Sequence, residues 1–229
     1  PSLRKRPLAW QRELAGAGSQ ASAALEAALN TVPLHEGHTV RALAAVLPDE
    51  ATIFAGSSLP IRDVDVFWPA AAPGHRFYGN RGASGIDGLV STGLGVAAAG
   101  AGPAAILLGD LSLYHDMNGL WSVRRHRIPA VFVVLDNGGG GIFDFLPPAE
   151  HEDVFEEVFA TPLALRLEDV ARLYGLDHCR VREAAALRPA LSAAFRSGRP
   201  GLVVAEFDRR ESVRGHRACW QAVADAIGG

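Results

Sequence analysis

The chain has 229 residues, of which 48% are hydrophobic, so it is long enough for one large α/β domain with a substantial core. Its net charge of −3 at pH 7 gives no reason to expect binding to nucleic acid or to a membrane surface. The two cysteines, Cys179 and Cys219, have neither metal-ligand spacing nor a disulfide pattern, which predicts a reducing, cytoplasmic environment. No apolar run reaches the ~18 residues that a membrane-spanning helix needs, and the N-terminus lacks the pattern of a signal peptide.

Residues 1–35 differ in composition from the rest of the chain. An Ala-rich run from Gln11 to Asn30 predicts a single helix that closes at Asn30 and Pro33. Nothing in this segment suggests catalysis, so we interpret it as a linker or the tail of a preceding domain, with a second domain over residues 36–229. Since the chain begins at Pro1 rather than at Met, we expect a fragment or a processed piece of a longer protein.

After residue 36, apolar strands alternate with helices. Strands are predicted at "ATIFAG", "HRFYG", "AAILLGD", "AVFVVLDN" and "GLVVAEF", and "YHDMNGLWSVRRHRI" predicts one helix with an arginine-rich outer face. The acidic stretch Glu150 to Glu157 predicts a solvated loop or helix. Apolar strands without polar alternation, separated by helices, indicate a doubly wound, mainly parallel sheet with helices on both faces.

Polar and glycine residues follow each predicted strand. In open α/β sheets, ligands bind beyond the carboxyl ends of the strands, so these positions are the candidate site. They are Gly56, Ser57, Ser58 and Arg62 after the first strand, Asn80, Arg81, Gly82, Ser84 and Ile86 after the second, Asp110 and Ser112 after the third, and Asp136, Asn137 and glycines 138–141 after the fourth.

Asp110 and Asn137 end consecutive predicted strands. A carboxylate and an amide oxygen at adjacent strand ends suit a hard divalent cation such as Mg²⁺ or Ca²⁺. A glycine loop beside them lets the backbone approach a phosphate, so the pattern favours a ligand that carries a diphosphate. Taken alone, the two residues fit equally well a helix N-cap at Asp110 and a turn residue at Asn137.

The "GD" at Gly109 and the Asn of the later "DN" resemble the thiamine-diphosphate motif. Two positions depart from it, since Leu111 and Asp136 stand where a Gly and an Asn are usual. Together, "GSSLPIRDVD", "GNRGASGIDG", "GDLS" and "DNGGGGIF" resemble one branch of these enzymes, the 2-succinyl-5-enolpyruvyl-6-hydroxy-3-cyclohexene-1-carboxylate synthases (MenD). The resemblance covers about residues 36–229, which correspond to the C-terminal third of such an enzyme.

This resemblance implies a metal and cofactor site. Asp110, the side chain of Asn137 and the carbonyl of Gly139 would ligate Mg²⁺ or Mn²⁺ between the two phosphates of thiamine diphosphate. Ile86 would hold the cofactor bent, although an ordinary core role fits it too. The cofactor-binding residues implied by the family are Ser84, Ile86, Asp110, Leu111, Ser112, Asn137, Gly139, Gly140, Ile142 and Phe143.

The resemblance also implies a substrate site at Ser58, Arg62 and Arg81. The family's substrates, 2-oxoglutarate and isochorismate, are both dicarboxylates, and guanidinium groups bind carboxylates in a bidentate manner. The implied reaction decarboxylates 2-oxoglutarate and adds the resulting succinyl carbanion equivalent to isochorismate, which makes the enzyme a transferase of menaquinone biosynthesis. Taken alone, Arg62 and Arg81 also fit surface residues or ion pairs within the chain.

The chain lacks an evident glutamate to activate the cofactor. In the family this residue lies in an N-terminal pyrimidine-binding domain and acts across a dimer interface. Glu13, Glu26 and Glu36 lie in predicted helices, so we expect the chain alone to be a catalytically incomplete half-site. Its expected partners are that N-terminal domain and further copies in a homodimer or homotetramer. His115 and Asp116 could reach the site, but we predict helix capping and solvent contact for them.

Other functions remain open from the residues alone. The chain could be a truncated binding or assembly module without catalysis, or part of a different thiamine-diphosphate decarboxylase or carboligase. A nucleotide-binding or response-regulator-like protein would carry a Rossmann glycine fingerprint or an acidic cluster at the first strand, and the sequence has neither.

Overall fold

The computed structural model describes residues 9–70, 74–100 and 102–228, so the first eight residues of the predicted tail lie outside it. The chain divides into two compact units. Among the described residues, one consists of residues 9–33 with 214–228, and the other consists of residues 34–70, 74–100 and 102–213. Across the described ranges, no helix combines the length and the apolar character needed to cross a membrane.

The larger unit is built on a six-stranded sheet in the order β2-β1-β3-β4-β6-β5. All the strand pairs described are parallel. The strands are β1 (Thr52–Ala55), β2 (Arg76–Tyr78), β3 (Ala104–Gly109), β4 (Ala130–Asp136), β5 (Asp177–Val181) and β6 (Gly201–Glu206). The predicted doubly wound α/β fold is therefore confirmed, and β5, which the sequence analysis missed, adds an edge strand.

Helices connect these strands. The α-helices are α1 (Ala9–Leu29), α2 (Glu36–Val46), α3 (Leu59–Phe67), α4 (Leu89–Ala99), α5 (Asp110–His115), α6 (Trp121–His126), α7 (Glu152–Phe155), α8 (Leu167–Tyr174), α9 (Ala184–Arg196) and α10 (Arg209–Ile227). Short 3₁₀ segments lie at Met117–Leu120, Gly141–Phe145 and Pro147–Glu150, and a π-helical turn lies at Glu156–Ala160. The Ala-rich segment forms the single helix that the sequence predicts.

The prediction of one helix from Tyr114 to Ile128 is wrong. The segment contains the end of α5, a 3₁₀ turn and α6. Asp116, at the C-terminal end of α5, has φ −120° and ψ 23°, which is outside the helical region. Its carboxylate accepts hydrogen bonds from Ser91 in α4. A tertiary contact thus ends the helix at a point that the periodicity does not mark.

The four inner strands of the sheet, β1, β3, β4 and β6, are buried on both faces. Ile106 and Leu108 of β3 join one hydrophobic cluster with residues of α4, α6 and α8. Leu107, which points the opposite way along the strand, is also fully buried. On that side α2 packs against both α3 and α9. Continuous apolar strands therefore reflect helices on both faces.

The strand order reverses beside β1. From β1 the chain moves outward to β2, and it then returns to the other side of β1 for β3 and β4. In such sheets the connections diverge at the reversal and leave a crevice beyond the carboxyl ends of the strands. The loops after β1, β3 and β4 border this crevice.

Candidate functional site

A cavity of about 430 Å³ lies at the carboxyl ends of β1, β3 and β4. Every residue that the family resemblance implies for the cofactor, metal and substrate lines this cavity, whereas the candidates Gly56, Ser57, Asn80 and Gly82, chosen for their positions after strands, do not. The implied residues that line it are Ser58, Arg62, Arg81, Ser84, Ile86, Asp110, Leu111, Ser112, Asn137, Gly139, Gly140, Ile142 and Phe143. Residues from four separate loops therefore meet at one place because parallel strands all end at the same edge of the sheet.

Asp110 is a buried carboxylate of the cavity, with 4% of its surface exposed. It follows β3 directly, and the neighbouring backbone N–H groups of Leu111 and Gly139 act to lower its pKa. Burial, and secondarily the charge of Asp136, raises the pKa of Asp110 to about 7. A divalent cation in this place would favour the ionised carboxylate and offset both effects.

Asn137 presents an amide to the same cavity. Its Nδ2 donates a hydrogen bond to Oε1 of Glu36 at 3.2 Å. Its Oδ1 is buried and has no hydrogen-bond partner among the described residues. A buried oxygen without a partner is costly unless a ligand completes it. The carboxylate of Asp110 and this amide oxygen fit the oxygen ligands of a hard divalent cation.

The glycine loop after β4 has no room for a side chain at Gly139, Gly140 or Gly141. Gly139 has φ 138°, and a Cβ atom there would collide with the carbonyl oxygen of Ala160. Its own carbonyl accepts a hydrogen bond from the N–H of Gly141 at 2.9 Å. A carbonyl oxygen has a second lone pair, so the predicted role of Gly139 as a metal ligand is compatible with this bond.

Asp136 shapes this loop instead of facing the predicted cavity. Its Oδ1 accepts a hydrogen bond from the N–H of Gly138 at 3.3 Å, the contact of an Asx turn. Its side chain lines a second cavity of about 660 Å³, where Arg180 and Glu206 form an ion pair at 3.2 Å. Burial raises the pKa of Asp136. Since an Asn oxygen can accept the same bond, the departure from the motif at this position preserves the turn.

The predicted substrate residues Ser58, Arg62 and Arg81 belong to the lining of the cavity. Ser58 has φ 74° and ψ −134°, a backbone conformation that is strained for any residue except Gly. Its carbonyl accepts a hydrogen bond from Nη1 of Arg62 at 2.7 Å, which fixes the direction of that guanidinium. Arg62 and Arg81 are exposed. Ile86 is partly buried and packs against the core cluster, so it contacts both the core and the cavity.

The sequence analysis missed Glu36 as a residue of this site. Glu36 is fully buried, lines the cavity and binds Asn137, although it begins helix α2. An acidic residue in the first turn of a helix has an ordinary explanation in the helix dipole, so the sequence offers no distinct signal. Leu59, Pro60 and Leu146 also line the cavity without having been predicted.

His115 and Asp116 do not line the cavity. Nε2 of His115 lies 3.1 Å from Oδ1 of Asp87, directly after Ile86. This hydrogen bond lowers the pKa of Asp87. Asp116 caps α4, as its two bonds to Ser91 show, and not the start of its own helix. The predicted capping of its own helix is therefore wrong, since Asp116 lies at the C-terminal end of α5 and caps α4.

Residues 65–205 match a family model described as "Thiamine pyrophosphate enzyme, C-terminal TPP binding domain". The chain belongs to this family. The match contains Asp110, Asn137 and the glycine loop, and its fold agrees with the parallel sheet described above.

Several curated proteins are similar to the chain over most of its length. A protein of Oceanobacillus iheyensis is 42% identical over 84% of this chain, and one of Geobacillus kaustophilus is 41% identical over 96% of it. A third, of Roseiflexus sp., is 41% identical over 92%. All three are named 2-succinyl-5-enolpyruvyl-6-hydroxy-3-cyclohexene-1-carboxylate synthase, so the resemblance to that group is confirmed. The chain spans about a third of the length of these relatives, 33%, 38% and 36% in turn.

Proposed function

We propose that this chain is the cofactor-binding part of a thiamine-diphosphate-dependent synthase of menaquinone biosynthesis. The synthase decarboxylates 2-oxoglutarate and adds the succinyl group to isochorismate. The observation that carries this proposal is the meeting of Asp110 and Asn137 in one cavity beside a glycine loop. The names of the similar proteins support the choice of substrates.

In this proposal, Asp110 and Asn137 hold Mg²⁺ or Mn²⁺ with the carbonyl of Gly139. Two groups support this role: the buried carboxylate of Asp110, and the buried amide oxygen of Asn137, which has no hydrogen-bond partner among the described residues. The cation would offset the negative charge of the diphosphate, and the glycine loop would leave space for the diphosphate. When bound, thiamine diphosphate would supply a carbon nucleophile for the 2-oxo carbon and an electron sink for the bond that breaks as carbon dioxide leaves.

Arg62 and Arg81 bind the substrate carboxylates. Arg62 uses one N–H on the carbonyl of Ser58, and a guanidinium has five N–H donors, so others stay available for a carboxylate. Both arginines line the cavity and are exposed, which suits dicarboxylates that approach from solvent. Ile86, Ile142 and Phe143 supply apolar walls that exclude water from the reacting carbon.

The half-site is completed by other parts of the same enzyme. We place the activating glutamate in the N-terminal pyrimidine-binding domain, since Glu36, the glutamate in this cavity, is engaged by Asn137 and Ser212. The enzyme assembles as a homodimer or homotetramer in the cytoplasm. Cys179 and Cys219 are free thiols, as a reducing compartment allows.

Calorimetric titration with thiamine diphosphate and Mg²⁺ tests the cofactor site. We expect binding that depends on the metal and is abolished by Asp110→Ala, because this change removes the charged ligand. Asp65→Ala removes the same charge from an exposed position of α3 and is expected to bind like the unsubstituted chain. Failure of the unsubstituted chain to bind would favour the assembly-module alternative.

A second experiment tests the proposed half-site. The chain is assayed with 2-oxoglutarate and isochorismate, alone and with the N-terminal two-thirds of a similar synthase. We expect turnover only in the mixture, and we expect Arg62→Ala and Arg81→Ala to raise the KM for one or both dicarboxylates. Enzyme-like rates from the chain alone would show that the half-site is complete without a partner.

A further inference from the structure

Glu36 is a fully buried carboxylate held by polar groups from two distant segments. Its Oε1 accepts a hydrogen bond from Nδ2 of Asn137, 101 positions along the chain. Its Oε2 accepts one from the hydroxyl of Ser212, which is itself buried with 2% exposure. Each carboxylate oxygen thus has its own donor. A buried charge costs free energy of folding unless polar groups compensate it.

The carboxylate fixes which end of the Asn137 amide faces the cavity. An ionised carboxylate only accepts hydrogen bonds, so it selects the NH₂ end of a facing amide and repels the oxygen end. With Nδ2 on Glu36, Oδ1 is directed elsewhere and is left buried without a described partner. If the amide turned over, its oxygen would face Oε1 of Glu36, and Nδ2 would take the place of the unpartnered Oδ1.

Gly141 restricts the amide further. A Cβ atom at Gly141 would collide with Nδ2 of Asn137, so the loop backbone lies directly against the amide. The Asn137 side chain is therefore confined by close contact on one side and by a charged acceptor on another. Such confinement lowers the reorganisation that a metal has to impose when it binds.

We propose that Glu36, held by Ser212, is a positioning residue that presents Oδ1 of Asn137 to the divalent cation. The inference rests on the metal role proposed above for Asp110 and Asn137. Residues that orient metal ligands without touching the metal commonly change metal affinity by about 10- to 100-fold.

Single and double substitutions at Glu36 and Asn137 distinguish this positioning role from a merely structural role of Glu36. Mn²⁺ binding is measured on the chain with thiamine diphosphate present, from the loss of the electron paramagnetic resonance signal of free Mn²⁺. Glu36→Met removes the acceptor at similar side-chain length and is expected to weaken Mn²⁺ binding by about tenfold or more. Asn137→Asp is also expected to weaken binding, because it places a second carboxylate against Glu36.

The double variant Glu36→Met with Asn137→Asp is the decisive measurement. A carboxylate offers an oxygen in either orientation, so it no longer needs Glu36 to direct it. We expect its Mn²⁺ affinity to return to within about threefold of the unsubstituted chain, although a structural defect from Glu36→Met would persist. Thermal unfolding of each variant reports stability separately.

Each outcome decides between the two proposals. Equal affinity of Glu36→Met and the unsubstituted chain, or no recovery in the double variant, overturns the role of Glu36 while leaving the metal site intact. Absence of Mn²⁺ binding by the unsubstituted chain overturns the metal site and this role with it. If Glu36→Met does not fold, Ser212→Ala takes its place, and unchanged affinity in that variant counts against the role.

Discussion

Gly139 is the residue of the site at which the absence of a side chain matters most. It combines φ 138° with direct contact against the carbonyl of Ala160, whereas Gly138 has φ 77° but open space around its missing Cβ. A side chain at Gly138 would therefore meet only an unfavourable backbone conformation, whereas one at Gly139 would also collide with Ala160. The sequence shows a run of glycines, and only the structure shows that the backbone of Ala160 excludes a side chain at Gly139.

We expect Gly139→Ala to lower the free energy of unfolding by more than about 2 kcal/mol, because its Cβ would displace the backbone of Ala160. The matched change Gly138→Ala is expected to cost about 1 kcal/mol, from the left-handed conformation alone. Urea unfolding of both variants measures the difference. Equal losses would mean that the loop moves freely away from Ala160.

Asp63 is a buried carboxyl in α3, and its raised pKa lowers the stability of the folded chain at neutral pH. Burial, and then the nearby charge of Glu36, raises the pKa of Asp63 well above its ordinary value. The folded chain therefore keeps a proton that the unfolded chain releases above its pKa of about 3.9, so the stability due to Asp63 falls as the pH rises from there.

We expect Asp63→Asn to gain stability relative to the unsubstituted chain as the pH rises from 4.5 to 7.5, because Asn does not titrate. Urea unfolding at several pH values measures this gain. Asp65→Asn, at an exposed position of the same helix, controls for the change in net charge. A stability difference that does not vary with pH would contradict the raised pKa.

At the scale of secondary-structure elements, α4 depends on a residue from a different helix. Its N-cap, Gly88, has no side chain to offer. Asp116 supplies the cap instead, with Oδ2 accepting from the N–H of Ser91 at 2.7 Å and Oδ1 accepting from its hydroxyl at 3.2 Å. The same residue ends α5, so one side chain defines the limits of two helices beside the cavity.

We expect Asp116→Ala to lower the free energy of unfolding by about 1 kcal/mol, the usual cost of losing a helix cap. Asp116→Asn keeps one acceptor oxygen and is expected to lose less. Thermal and urea unfolding of the pair give the comparison. If the two variants were equally stable, the bond to the N–H of Ser91 would have no measurable role.

For the whole molecule, the cofactor and metal should act as stabilising ligands. A ligand at 100 times its Kd stabilises the folded state by about 2.7 kcal/mol, which corresponds to a rise in Tm of about 5 °C or more for a chain of this size. We expect this rise with thiamine diphosphate and Mg²⁺ together. Removal of the metal with a chelator should reverse it, and Asp110→Ala should not show it. A rise that persists without metal would contradict metal-dependent binding.

The sequence by itself determined the fold class and the edge of the sheet at which the site lies. Apolar strands without alternation require cover on both faces, and parallel strands bring all their carboxyl ends together. Asp110, Asn137 and Ser58 could therefore be placed at one cavity from their positions after strands, and the roles predicted for them remain predictions.

Only the tertiary structure decided how these side chains are held. The bond between Glu36 and Asn137 joins residues 101 positions apart, and that between Asp116 and Ser91 joins residues 25 apart. Local periodicity predicts which face of an element is buried, but it does not predict which polar groups of different elements contact each other. The physical reason is that such partners are selected by the need to satisfy buried polar atoms once the layers have packed.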